Sequence, residues 1–263
     1  MTKKKTTNDI TVIIPVFNVN VELFNNANTS LKQQIEAPEA VLLVVGDKTE
    51  DYNLIKDIDY GDLNITILNH KESTTFATQM NLGVGACKTK WFSFLEQDDE
   101  MSSLWFKNVV KYRNVYSDVH IFLPLILDVN SEGIFLGMAN EAVWASEFSD
   151  EMGYLDNAAL LRFQNFNFDG MVMLKEAYQE FGGLKDSVKL TFMYEFLLRL
   201  TYNSCKLMVI PKLSYKHVNL RVGGLFSTYK NELSYDESRW WLALAKKEYF
   251  HVNDRKILYE KTE

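Results

Sequence analysis

Apolar and polar positions change period along the chain in blocks, from strand-like runs to helical spacing and back. Residues 10–16 are almost continuously apolar and β-branched, the pattern of a parallel strand buried on both faces, and Pro15 near their end marks the exit from a sheet. Phe24, Ala27, Leu31 and Ile35 then recur at helical spacing until Pro38 stops the pattern. Residues 41–45 read as a second strand with residues 46–51 as its exit loop, and residues 65–68 as a third. A short helix follows over residues 77–86, where Gly83 and Gly85 signal fraying or close packing. Residues 91–95 form a fourth, aromatic-rich strand that ends in Glu96-Gln97-Asp98-Asp99-Glu100.

Strands alternating with helices predict a parallel sheet with right-handed crossovers, so the loops at residues 15–18, 46–51 and 96–100 gather at one sheet edge. Ligands of open α/β sheets sit outside the strand carboxyl ends. Carboxylates there suit a divalent cation and the phosphates it carries; a solvated acidic turn capping the next helix is the plain alternative. Further on, residues 116–127 read as a strand-pair region. Residues 140–157 read as an acidic loop or lid, whose Trp144, Phe148 and Tyr154 either anchor it or face a sugar. Residues 206–210 read as a strand ahead of His217, and residues 234–250 as an amphipathic helix that docks on the core.

Composition narrows the class. A chain of 263 residues suits one α/β body with a smaller appended layer. Its net charge of −7 argues against a nucleic-acid surface. Cys87 and Cys205 lie far apart and read as free thiols of a reducing, cytoplasmic compartment. Lys3-Lys4-Lys5 ahead of the first strand imitates a signal peptide but lacks a small-residue cleavage site. The longest apolar run, residues 121–127, is too short for a membrane span and contains Pro124. Neither GxGxxG nor GxxxxGK[ST] occurs, which weighs against dinucleotide and P-loop folds.

Thr11-Val12-Ile13-Ile14-Pro15-Val16-Phe17-Asn18, Ser30-Leu31-Lys32-Gln33-Gln34, Val44-Val45-Gly46-Asp47-Lys48-Thr49-Glu50-Asp51, Ala77-Thr78-Gln79-Met80-Asn81-Leu82-Gly83 and Glu96-Gln97-Asp98-Asp99, in this order and spacing, resemble family 2 glycosyltransferases of the GT-A fold. A looser likeness runs through residues 170–217 by way of Gly182-Gly183-Leu184, Glu195 and Ile210-Pro211. The resemblance implies an α/β fold of GT-A type, with a mostly parallel Rossmann-like sheet flanked by helices, a smaller acceptor-side region and a C-terminal helix. It divides the chain into a basic tail (1–9), a nucleotide-sugar-binding half (10–115), an acceptor-side half of the same domain (116–225) and a helical segment (226–263). The implied activity is inverting transfer from a nucleotide sugar, with UDP-sugar favoured, to an unidentified glycan or other hydroxyl acceptor. Pro15, Val16, Phe17, Asn18, Asp47, Gln79 and Asp98 would form the nucleotide site, Asp47 accepting from uracil N3–H. Asp98 and Asp99, with His217 as a third ligand or else a merely packed histidine, would hold Mn²⁺ or Mg²⁺ on the diphosphate leaving group. Asp169 and Gly170 would lie beside the donor sugar.

The chain departs from that pattern in three places. Gly46 stands where relatives begin an acidic pair, and Glu96-Gln97-Asp98 stands where they have Asp-x-Asp. The acidic pair that supplies the base to the acceptor hydroxyl falls on Phe192 and Met193, neither of which takes a proton. Glu195 is the nearest acid, yet two residues along a helix turn it ~200° from Met193, and its i,i+4 spacing to Arg199 favours an ion pair. The open readings are Glu195 as base, a displaced acid such as Asp169 or Asp186, or no base at all. The last would leave a degenerate nucleotide-sugar-binding protein.

Overall fold

A computed structural model describes residues 8–46, 49–70, 75–141, 153–219 and 234–252. In chain order the elements are β1 (Ile10–Val16), α1 (Val21–Lys32), β2 (Ala40–Val45), α2 (Thr49–Ile55), β3 (Ile65–Asn69), α3 (Phe76–Ala86), β4 (Trp91–Phe94), β5 (Glu100–Met101), α4 (Trp105–Val115), β6 (Ile121–Val129), β7 (Phe135–Ala139), β8 (Tyr154–Leu155), α5 (Asn157–Arg162), β9 (Val172–Leu174), α6 (Lys175–Glu180), α7 (Phe192–Tyr202), β10 (Leu207–Val218) and α8 (Tyr235–Glu248). Helix starts follow their capping residues: Asn20, Thr75, Asp156 and Ser234 each accept from a first-turn backbone N–H. The helix expected to reach Ile35 ends at Lys32, and Ile35 instead donates its N–H to the Ser103 carbonyl outside the helix.

The strands form one ten-stranded α/β sheet in the order β3-β2-β1-β4-β9-β6-β10-β5, with β7 on β6 and β8 on β10. Its longer ladders, β1 with β2, β2 with β3, β1 with β4 and β6 with β10, are parallel, while short antiparallel β9 joins the two parallel halves through β4 and β6. Alternation along β1 and β2 sorts side chains to the two faces. Val12, Ile14, Leu43 and Val45 pack with α1, α2 and α4 on one face; Ile13, Leu42 and Val44 pack toward α3 and α7 on the other.

Two differences from the sequence reading bear on the site. β6 runs from Ile121 through Pro124 to Val129, two residues past the expected region, and its ladder with β10 carries register shifts between Ile210 and Tyr215, the stretch that contains Pro211. Because of this, β10 does not stop at Ile210 but extends to Val218, so His217 is a strand residue. The aromatic residues Trp144 and Phe148 of the expected lid lie outside the described residues, whereas Tyr154 forms part of β8. No helix of the described residues is long and apolar enough to cross a membrane.

Of the two readings of Gly83, the structure selects close packing. A Cβ at Gly83 would lie 2.5 Å from Ile13 Cγ2 and 3.2 Å from Val44 Cγ2, so α3 rests directly on β1 and β2. Gly83→Ala should therefore destabilise the fold by about 1–3 kcal/mol, the usual cost of overpacking, measured as a lower urea midpoint at unchanged m-value.

Candidate active site

The turn after β1 is fixed by side chains from three other elements. Gln79 of α3 takes both backbone groups of Val16, accepting its N–H at 3.0 Å and donating to its carbonyl at 3.3 Å. Gln97, after β4, does the same for Phe17: its Oε1 accepts the N–H at 3.0 Å and its Nε2 donates to the carbonyl. Asp51 of α2 accepts from Asn18 and Val19 at 3.0 and 2.9 Å, which supports the positive φ of 46° at Asn18. Pro15, Val16, Phe17 and Asn18 are thus held in a single backbone path beside Gln97 and Asp98. Gln79 is buried, with its amide engaged by Val16, so its part in the site is to hold this loop. Asp47 lies outside the described residues.

Beside the loop, β4 and β10 deliver a cluster of ionisable groups. Glu96, Asp99 and His217 offer ligand atoms all within 4.8 Å of one another. The buried Asp99 carboxylate accepts the Val218 N–H at 2.8 Å and lies 3.0 Å from His217 Nδ1. Tyr215 Oη accepts the Glu96 N–H at 3.1 Å, and Lys216 pairs with Glu100 at 2.6 Å across the β5–β10 ladder. Asp169, on the loop before β9, is buried and feels the charges of His217 and Asp99. Its loop is pinned by the buried Asn140, which donates to the Pro124 and Asn167 carbonyls, and by Trp105, which donates to the Gly170 carbonyl. Gly170 has φ +70° and no room for a Cβ, which would sit 2.4 Å from the Tyr215 ring.

Crowded carboxylates shift one another's protonation. Burial, then the charges of Asp169, Asp99 and Asp98, push the Glu96 carboxyl well above its usual range against the pull of His217. Burial likewise lifts Asp169 from 3.8 to about 7, Asp99 and Asp128 adding to the rise while His217 and the Glu96 side chain oppose it. At His217 burial acts downward, but Asp99, Glu96 and Asp169 outweigh it and raise the imidazole well above its ordinary value. The two carboxylates and one imidazole whose ligand atoms gather here form a set that fits Mn²⁺ or Mg²⁺, and a cation would relieve the repulsion between the carboxylates.

The expected site residues divide accordingly. Asp98, Asp99, Asp169 and His217 come together at the strand ends. Glu195 does not join them: it is buried, bound at Oε1 by Arg199 Nε (2.9 Å) and Lys185 Nζ (3.0 Å) and at Oε2 by Arg199 Nη2 (3.0 Å). Asp186 is exposed and accepts from Thr75 and Thr78 at the start of α3. Glu96, Gln97, Asp51 and Tyr215 were not singled out individually from sequence. Glu96 carried a signal as the first acid of the strand-end run, while the other three depend on partners 32 to 119 residues away.

The profile of the family described as "Glycosyl transferase family 2" matches residues 11–149. An "Uncharacterized glycosyltransferase" of Haemophilus influenzae is 25% identical over 105 residues, covering 39% of this chain and 32% of that protein, so the match spans about a third of the relative's length. Among solved structures, S. aureus TarS 1-349 in complex with UDP-GlcNAc superposes with TM-score 0.69 at 14% identity, covering 95% of this chain and 70% of that one. The longer S. aureus TarS structure gives TM-score 0.60, also at 14% identity, over 97% of this chain and 46% of that one. Likeness at this identity speaks for a shared GT-A fold.

Two outcomes are expected from the geometry. Gln79→Leu strands the Val16 N–H and carbonyl, so it should cost about 1–3 kcal/mol in urea unfolding. Asp169 keeps a proton in the folded protein between pH 3.8 and about 7 that the unfolded chain releases. The folded state then binds more protons, and metal-free stability falls as pH rises through that window. The raised His217 value adds a loss of the same sign above 6.5. Asp169→Asn should flatten the decline between pH 4 and 7, measured by urea unfolding in EDTA.

Proposed function

The chain belongs to glycosyl transferase family 2, and from that premise we propose that it moves a sugar from a nucleotide donor, a UDP-sugar by preference, to a hydroxyl acceptor with inversion and metal assistance. The observation that carries this reading is the meeting of the clamped loop after β1 with the Glu96–Asp99–His217 cluster at the carboxyl ends of the strands. The UDP and UDP-GlcNAc complexes of S. aureus TarS support the donor class.

In this reading residues 10–115 bind the nucleotide sugar, residues 116–225 face the acceptor and the segment 226–263, which carries helix Tyr235–Glu248, is an appendage. Residues 15–18 carry the base and ribose, Asp47 accepts from uracil N3–H, and Asp98 contacts the nucleotide beside the cation. Glu96, Asp99 and His217 would form the cation centre, with Mn²⁺ and Mg²⁺ both acceptable to such a donor set. A bound cation supplies Lewis-acid stabilisation of the diphosphate as the glycosidic bond breaks. Glu195 and Asp186 are engaged in structural contacts, so Asp169 is the remaining acid of the three for drawing the proton from the acceptor. The buried free thiols Cys87 and Cys205 fit a cytoplasmic setting.

A second reading, binding of a nucleotide sugar without transfer, is favoured by one observation. At the position where relatives hold the base, the Phe192 ring packs 5.1 Å from Phe76 and 5.9 Å from Phe168. Transfer and donor hydrolysis on wild type, Met193→Asp and Glu195→Gln separate the two. Under the second reading only Met193→Asp gains turnover; wild-type turnover excludes it. Glu195→Gln leaves Arg199 and Lys185 without their buried counter-charge and should cost about 3–5 kcal/mol of stability under either reading.

Thermal shifts with nucleotides, with and without Mn²⁺, test the donor site. UDP should stabilise the protein more with Mn²⁺ than without, and Asp99→Asn should remove the metal-dependent part. UDP should also bind better than CDP by about 1–3 kcal/mol, the cost of facing the Asp47 carboxylate with the bare N3 of cytosine. Equal affinity for the two nucleotides would refute the role given to Asp47.

A further inference from the structure

The cluster at the strand ends contains one carboxylate with both oxygens engaged and one with an oxygen that has no partner. Both oxygens of Asp99 are engaged within the protein, Oδ1 by the Val218 N–H at 2.8 Å and Oδ2 by His217 Nδ1 at 3.0 Å. That bonding makes Asp99 the group that orients the imidazole and turns Nε2 outward, the usual relation of a carboxylate to a metal-ligating histidine. Asp169 is the converse case. It is 2% exposed, and its Oδ1 is buried with no hydrogen-bond partner. A buried acceptor left unmade costs stability, and such an atom in a native structure calls for a ligand.

The backbone around Asp169 is built to keep it there. Asn167 Oδ1 accepts the Asp169 N–H at 3.2 Å, Asn140 holds the Asn167 carbonyl at 3.1 Å and its N–H at 2.9 Å, and the Gly170 carbonyl is held by Trp105 at 2.9 Å. Four hydrogen bonds thus fix a residue whose own carboxylate oxygen has nothing to bind. Support of this kind is what a preorganised ligand needs.

We propose that Asp169 is a further protein ligand of the divalent cation through its Oδ1, joining Glu96, Asp99 and His217 Nε2 in a centre where Asp99 also orients the histidine. The ligands then come from both halves of the sheet: Glu96 and Asp99 from the end of β4, His217 from β10, and Asp169 from the loop that leads into β9, the strand joining β4 to β6. The proposal rests on the metal-assisted reading above and gives Asp169 the cation in place of the acceptor proton.

The test is the affinity of the full chain for Mn²⁺ alone, read from the electron spin resonance signal of the free ion, and repeated with UDP. Asp169→Asn and Asp169→Ser should each weaken Mn²⁺ binding by about tenfold or more, whereas Asp128→Asn, which removes a nearby charge but no proposed ligand, should leave it unchanged. The ¹⁴N coupling of His217 to bound Mn²⁺ should persist in Asp169→Asn and vanish in His217→Ala. Thermal unfolding of the two Asp169 variants identifies one that retains the wild-type transition, and that variant is the one read. Wild-type Mn²⁺ affinity in it overturns the proposal and leaves metal-assisted transfer standing. An equal loss in Asp128→Asn also overturns it, by reducing the effect to charge. Absence of Mn²⁺ binding by the wild type, with and without UDP, overturns both.

Discussion

The buried carboxylate of Asp99 ties the end of β4 to the end of β10, and the rest of the strand-end site depends on that tie. Its two oxygens reach a backbone amide and a side chain 118 to 119 residues further along the chain. Charge-assisted hydrogen bonds of this type are roughly twice as strong as neutral ones, and here they set the register in which Tyr215, Lys216 and His217 face Glu96, Glu100 and Asp99. The geometry also needs β10 to be long. Had the ladder with β6 ended at Pro124, as a proline in a strand often dictates, the histidine would have no strand to carry it. The register shifts between Ile210 and Tyr215 let the ladder resume, so an irregularity in the sheet places His217 beside Asp99.

A second buried network stabilises the helical side of the molecule. Arg199 donates to both oxygens of Glu195 and to the Phe181 and Gly183 carbonyls, while Lys185 links Glu195 to the Glu248 carbonyl at the end of α8. One acid thus joins α7, the loop after α6 and the last helix. Buried ion pairs of this kind add little net stability over apolar packing but are costly to break. Glu195 is fixed by partners on two sides, which accounts for its separation from the strand-end cluster despite its place in the helix that carries the base in relatives.

Much of the first half was legible because its signals are local. Continuous apolar runs rich in β-branched residues at 10–16 and 41–45 read as buried strands, and three strand exits on one edge follow from the order of elements. Legibility failed where an outcome depended on a distant partner. Nothing near Ile35 announces that the backbone will leave the helix to meet Ser103, and nothing near Pro211 announces that β10 resumes. Gln79, Gln97 and Asp51 look like ordinary polar residues until the loop they hold is in place. Asp169 was visible as an acid ahead of β9, but its nearness to Glu96 depends on two sheet halves joined by that strand of three residues.

The clamped turn after β1 has a consequence for recognition kinetics and heat. Val16, Phe17, Asn18 and Val19 already have their amides bonded by Gln79, Gln97 and Asp51. A ligand arriving at this turn meets a surface whose backbone order was established during folding, so little conformational entropy remains to be lost there. Docking against it should resemble rigid-body association, with small backbone displacement. Selectivity then falls to side chains and to whatever loops close around them, and a mutation that frees one clamp would show itself as a larger entropic penalty before any contact with the ligand was altered.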